Sequence, residues 1–300
     1  MTRNNGLLLV DKSSGMTSHD VVARVRKILG ERRVGHAGTL DPLATGLLVL
    51  AVGPSTRLLR FAQAEVKHYS GTFKFGVATD SLDADGAVIA EGPVPQLSGA
   101  EVDEVVASML GTQLQTPPMV SALKVGGRRL HELAREGVEV ERQPREITVS
   151  EFRLEPTDDP ALWNFDVVCS VGTYVRVLLS DMAVALGTVG HLTALRRLSS
   201  GIHRVDDAVS LEGLAQRVER GEDPLSPPAD FVAGLERTVI DITQESKMRM
   251  GQRLELAEPF VGPEIAAFDA RRNLLGILKR RGDTWQPELV LPASGEPARG

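Results

Sequence analysis

Gly35-His36-Ala37-Gly38-Thr39-Leu40-Asp41-Pro42-Leu43-Ala44-Thr45-Gly46 is the stretch on which the reading of this chain turns. It carries three glycines, one proline and a single carboxylate, set between apolar runs. Glycine admits tight turns and close backbone approach, and Pro42 fixes the chain direction immediately after Asp41. A lone acid on so stiff a loop reads as presented, with no second acid in the loop to share a chemistry. Taken alone, an aspartate ahead of proline is better explained by local turn hydrogen bonds.

The 300-residue chain has room for one large domain with a small appendage. Its one cysteine, Cys169, excludes an intrachain disulfide framework and a multi-cysteine metal site. The apolar run Leu7 to Val10 is too short for a secretion signal, and no segment reaches the roughly 20 apolar residues of a membrane span. A reducing, cytoplasmic setting is the expectation. The net charge of −6 argues at first against a nucleic-acid partner. Residues 1–60, however, hold nine Lys/Arg against four Asp/Glu, whereas residues 61–115 hold two against eight. Such segregation can build a basic face on an acidic protein.

Outward from the loop, Gly6 to Val10 reads as a strand and Ser18 to Leu29 as an amphipathic helix with Arg24, Arg26 and Lys27 on its polar flank. Leu47–Val52, Tyr69–Val77, Ile147–Leu154 and Trp163–Ser170 read as strands, and Val102–Leu110 as a helix closed by Gly111. Residues 116–146 form a polar, basic excursion with a short helix around Leu130 to Glu136. Val175 to Leu186 is helical, ending at Gly187, with Thr173 as its expected N-cap. The proline-rich, acidic Gly221 to Asp230 reads as a linker, and residues 236–292 as a small β domain.

The six histidines show no metal-ligand spacing, and no HExxH, Walker-type lysine or GxGxxG occurs, so neither metal nor cofactor is expected. Three further stretches carry chemistry: Lys67-His68-Tyr69 at the head of a strand, Gly172-Thr173-Tyr174-Val175-Arg176 at a helix start, and the basic His191 to Arg197 around Leu195. Each has an ordinary explanation when taken singly.

Together these stretches resemble one family, the TruB-type tRNA pseudouridine synthases. The resemblance also runs through Leu8 to Lys12 with Gly15-Met16-Thr17-Ser18, Thr79-Asp80-Ser81 with Asp83-Ala84-Asp85-Gly86, and Pro117 to Lys124, and it covers most of residues 6–201. It implies an α+β fold: a central mixed, largely antiparallel β-sheet flanked by helices and loops, plus a small C-terminal β-rich PUA-like domain. The catalytic domain would span residues 1–230, with an RNA-clamping insertion at about 116–146, and the RNA-binding domain residues 236–292. Ser13 departs from the family, which commonly has proline there; this loosens a turn and leaves the chemistry intact.

The activity implied is isomerisation of the uridine at position 55, in the TΨC loop of tRNA, to pseudouridine. By the resemblance Asp41 is the nucleophile, Arg176 keeps it ionised, and Tyr69 packs on the uracil and serves in proton transfer. Leu195 would wall the base pocket, Lys12 would support the site, and His36 would fill the gap left by the flipped nucleotide. Lys124, Arg128, Arg129 and Arg135 would grip the RNA arm. The partner implied is tRNA, with no membrane and no obligate protein partner. The rival readings are an RNA-binding or chaperone protein on the same scaffold, and a synthase acting on another RNA.

Overall fold

The computed structural model describes residues 4–62, 66–121, 123–125, 127–130, 133, 136–138, 140–257 and 259–292. Among them a nine-stranded sheet forms the body. Its backbone order is β1 (Gly6–Lys12), β3 (Thr45–Val52), β12 (Gly190–Ser200), β4 (Val66–Phe75), β11 (Leu162–Ser170), β10 (Arg145–Pro156) and β7 (Gly111–Gln115). Short β2 (Val34–Ala37) and β13 (His203–Arg204) pair with β3 and β12. All these pairings are antiparallel except β3 with β12, which gives the mixed sheet expected. Two small ribbons, β5 (Val77–Thr79) with β6 (Val88–Glu91) and β8 (Lys124–Val125) with β9 (Arg128–Arg129), project from it. A separate four-stranded sheet follows: β14 (Glu236–Val239), β15 (Glu264–Phe268), β16 (Leu274–Arg281) and β17 (Thr284–Val290).

The unbroken apolar run of β3 has a direct cause. Leu48, Leu50 and Val52 face the core shared with helix α1 (Ser18–Leu29), while Leu47, Val49 and Ala51 face a second core. That second core includes Phe231 and the second sheet's Ala266, Phe268 and Ile277. A strand covered on both faces loses the apolar–polar alternation of a half-exposed one. Helix α1 starts on a capping box, Thr17 accepting from the Asp20 backbone and Asp20 from that of Thr17, and buries Val21, Val22 and Val25.

Helix α2 runs over Gly99–Met109, beginning before the expected Val102 because Ser98 and Glu101 form a second capping box. The strand expected over Tyr69–Val77 ends at Phe75, where Gly76 takes a φ of 88° and turns the chain into β5. Within the stretch expected as a linker, Ser226 exchanges backbone hydrogen bonds with Leu7, and just beyond it Phe231 and Val232 are buried. Helix α4 (Leu211–Glu219) ends ahead of Gly221, which takes a φ of 74°, and Pro227 and Pro228 open a short 3-10 turn over Pro228–Val232. Of the expected helix around Leu130 to Glu136, Leu130 and Leu133 are buried, and Arg135 lies outside the described residues.

Candidate active site

The loop carrying Asp41 leaves β2 and returns into β3 under constraint from both ends. At Gly46 (φ 96°) a Cβ would stand 2.3 Å from the Arg197 carbonyl oxygen, so only glycine lets β12 cross there. From the other side the β1–α1 connection staples the loop. Ser18 Oγ exchanges hydrogen bonds with Leu40 N and O at 2.9 and 3.2 Å, and Gly15 N donates to Pro42 O at 2.9 Å.

Lys12 belongs to this scaffold rather than to the substrate surface. Its side chain is fully buried and Nζ donates to the carbonyls of Ser13, Met16 and Pro42 at 3.1, 2.7 and 3.1 Å. Its ammonium is spent on three carbonyls and does not line the pocket, so its contact is with the loop that carries Asp41 and not with the cavity. Burial pulls its pKa down to about 8, with the nearby Asp41 acting in the opposite direction.

Asp41 sits in a cavity of about 250 Å³ lined also by Tyr69, Leu195, Arg176, Lys67, Thr39, Ser121 and Tyr174. The Nε of Arg176 lies 3.0 Å from Asp41 Oδ2. The same guanidinium reaches Asp83 Oδ2 at 3.2 Å, Ser81 O at 2.6 Å and Val120 O at 3.0 Å. Arg176 is thus locked between two carboxylates and two carbonyls, with 3 % of its surface exposed.

Burial raises the pKa of Asp41, outweighing the Arg176 cation that lowers it, and the neighbouring Asp83 raises it further. About a third of the Asp41 side chain still faces the pocket mouth, yet protein surrounds it closely enough for lost hydration to win. Tyr69 is buried as well, and its phenol is pushed up by burial against the opposing charge of Arg197.

Arg176 is placed by helix α3 (Val175–Ala185), whose N-cap is Tyr174 rather than Thr173. The Gln115 carboxamide closes this end from a distant strand: Tyr174 N donates to its Oε1 at 2.7 Å, and its Nε2 donates to Tyr174 O at 3.1 Å.

Beside the cavity, His36 is half-buried, its Nδ1 without a hydrogen-bond partner, and His19 meets it edge-on at 5.4 Å between ring centroids. Burial, then the charges of His19 and Arg197, hold the His36 imidazole below its ordinary pKa. Arg128 lies on the β8–β9 ribbon, paired with Glu136 at 2.5 Å. Lys124 and Arg129 share that ribbon by their backbones, and their side chains lie outside the described residues.

The sequence reading brought together Asp41, Arg176, Tyr69 and Leu195, and the structure places all four around one cavity. It passed over Asp83, Lys67, Tyr174 and Arg197, although each stands in a stretch already singled out. The available signals were an acid in the Thr79–Gly86 turn, a lysine two residues before Tyr69 on the same strand face, and an arginine two residues after Leu195.

The comparisons with known proteins come down on the same side. The crystal structure of a Cbf5-Nop10-Gar1 complex superimposes with a TM-score of 0.74 at 22% identity, covering 96% of this chain and 85% of that one. An H/ACA RNP bound to a substrate RNA containing 2'-deoxyuridine gives 0.73 at 20% identity, covering 97% and 86%. Likeness at this identity speaks to the fold, an α+β pseudouridine synthase fold. The model of the TruB family pseudouridylate synthase N-terminal domain matches residues 26–175. The tRNA pseudouridine synthase B of Streptococcus pneumoniae serotype 4 (strain ATCC BAA-334 / TIGR4) is 41% identical over 292 residues, 95% of this chain and 99% of that protein. That of Syntrophotalea carbinolica is 50% identical over 210 residues, 70% of this chain and 68% of that protein. The chain belongs to the TruB family of pseudouridylate synthases.

Proposed function

We propose that this protein isomerises uridine 55 in the TΨC loop of tRNA to pseudouridine, with Asp41 as nucleophile. The observation that carries the reading is the Asp41–Arg176 contact at 3.0 Å in a cavity walled by Tyr69 and Leu195. In the reaction the C1′–N1 bond breaks, the uracil turns in place, and a C1′–C5 bond forms. C5 gives up its proton and N1 gains one, so atoms and electrons balance without an external reagent.

The Asp41 carboxylate forms the transient adduct that divides one difficult step into two. Arg176, immobilised by Asp83, Ser81 and Val120, offsets the cost of an ionised carboxylate where water is scarce. Tyr69 packs on the base and moves a proton, and Leu195 closes the apolar wall. Unstacking the base costs on the order of a few kcal/mol. His36, bracketed by His19, occupies the vacated stack.

Residues 1–230 form the catalytic domain in this reading, and residues 236–292 a PUA-like domain gripping RNA. The insertion at about 116–146, with Lys124, Arg128 and Arg129, closes over the arm, and exposed Arg24, Arg26 and Lys27 of α1 add phosphate contacts. The partner is the TΨC arm of tRNA, and the setting is the cytoplasm. Among the described residues no helix is long and apolar enough to cross a membrane.

Mapping pseudouridine in unmodified tRNA treated with the protein tests this directly. Modification confined to position 55 supports it, and modification elsewhere or none overturns it.

A further inference from the structure

Two glutamines of β7 use their carboxamides differently. Gln113 Nε2 donates to Met109 O at 2.8 Å, four residues back along its own chain. Gln115 is 4 % exposed and commits both ends of its amide to Tyr174, 59 residues away, at 2.7 and 3.1 Å. The Tyr174 carbonyl already accepts from Leu178 N at 3.0 Å, the opening bond of helix α3. The second donor from Gln115 therefore adds position rather than satisfaction. Two bonds to the N–H and C=O of one residue fix both its place and its rotation, as between paired strands.

What is fixed is a wall of the cavity. Tyr174 lines it beside Asp41, and Arg176, two residues on, carries the guanidinium that meets Asp41. The chain leaving Gln115 returns to the same two residues. Val120 O accepts from Arg176 Nη2 at 3.0 Å, and Ser121, itself a lining residue, hydrogen-bonds the Tyr174 side chain. Pro117 and Pro118, both buried, stiffen the span between, since proline locks φ. Residues 115–121 thus form a strap fastened to Tyr174 and Arg176, with the Gln115 clamp at its root. Asp83 and Ser81 hold the same guanidinium from the other side.

We propose that Gln115 is a positioning residue for the isomerisation: by clamping Tyr174 it keeps the strap in register with the start of helix α3, so that Arg176 is delivered to Asp41 and Tyr174 to the cavity wall. The inference rests on the tRNA reading above and adds a residue that does not itself line the cavity. Misplacement of a reacting group by about 1 Å can cost about 100-fold in rate, which sets the scale of the effect.

Gln115→Met keeps the side-chain length and removes both bonds. Gln115→Asn keeps the amide but is one methylene too short to hold both groups of Tyr174. Each is measured for melting temperature, affinity for a TΨC-arm hairpin, and single-turnover rate at saturating enzyme from about pH 4 to 8. Gln115→Met is expected to turn over about 100-fold more slowly with affinity within about three-fold of wild type, and Gln115→Asn to fall between the two. Asp41 is faced by Arg176, Asp83 and Lys12, and shares the cavity with Lys67, Tyr69 and Tyr174. Arg176 is the main cation opposing burial at Asp41, so loosening it moves the acid limb to higher pH. A merely structural amide would lower the melting temperature and leave both the limb and the bound-state rate in place.

Bound-state rates within about three-fold of wild type overturn the inference, as does an unmoved acid limb or a loss that appears in affinity instead. If Gln115→Met does not fold, the rate and limb of Gln115→Asn decide alone. Wild-type conversion of the same hairpin is scored alongside. No pseudouridine from the wild type counts against the tRNA reading, whereas wild-type conversion matched by the variants counts against Gln115 alone.

Discussion

Asp83→Asn probes the electrostatic balance of the site most informatively, because it removes one charge and little volume. Asp83 is 5 % exposed; its Oδ2 faces Arg176 Nη1 at 3.2 Å, and its Oδ1 accepts from Ser81 Oγ at 2.5 Å and from Asp85 N at 3.2 Å. An asparagine must direct its NH2 either at the Arg176 N–H or at the Asp85 N–H, so one donor meets a donor in either orientation. Arg176 keeps Asp41, Ser81 O and Val120 O, and the buried charge is not abandoned. The loss is one charged hydrogen bond, about 2 kcal/mol, or a melting temperature lower by about 4 °C.

The effect on Asp41 has the opposite sense. Asp83 is a like charge that raises the Asp41 pKa, so its removal lets Asp41 ionise at lower pH. Single-turnover conversion of a TΨC-arm hairpin, followed from pH 4 to 8, should show the acid limb displaced to lower pH with less than about ten-fold loss at neutrality. Displacement to higher pH would mean that Asp83 serves Asp41 by steering Arg176 and not by charge. An unchanged melting temperature would refute the buried-pair account itself.

Gly46→Ala is expected to destabilise by about 3 kcal/mol in a denaturant titration, since φ is 96° and the colliding atom is backbone. Lys12 and Lys67 have folded pKa values of about 8 against 10.5 for the free side chain. Between those values the unfolded chain binds more protons, so stability contributed by these lysines rises with pH from about 8 to 10.5. The rise should be smaller in Lys67→Met than in wild type when unfolding is measured across that window. His36→Ala should weaken binding of a folded TΨC arm while sparing binding of an unstructured strand of the same sequence, because only the folded arm has a stack to fill. Equal losses on both RNAs would contradict that role.

Much of the site was legible because its chemistry is concentrated in short stretches. Asp41, Tyr69, Arg176 and Leu195 each lie in a segment whose residue types are unusual for a plain turn or strand. The supporting residues were harder to read because their roles depend on long-range pairing. Asp83 acquires meaning only when a turn 95 residues from Arg176 presents Ser81 O to the same guanidinium. Gln115 fixes the backbone of Tyr174, the residue that takes the N-cap position in place of the expected Thr173, from 59 residues away. The buried state of Lys12 follows from three carbonyls converging on it, and a basic residue next to the Asp41 loop gives no hint of that. Likewise the burial of Phe231 and Val232, just past the proline-rich stretch, is set by a second sheet packing against the far face of β3.

The nucleophile is the central claim, and Asp41→Asn tests it most directly. Because the Asp41 pKa is raised in the folded protein, its ionised form costs stability at neutral pH, and the favourable contribution is lost as pH rises through the folded value. The variant is therefore expected to melt at or above the wild-type temperature at pH 7 and to bind a TΨC-arm hairpin within about three-fold, a difference of about 0.7 kcal/mol. Under single-turnover conditions at saturating enzyme it should form no pseudouridine. Pseudouridine appearing at a substantial fraction of the wild-type rate, from a variant that is folded and bound, would contradict the account.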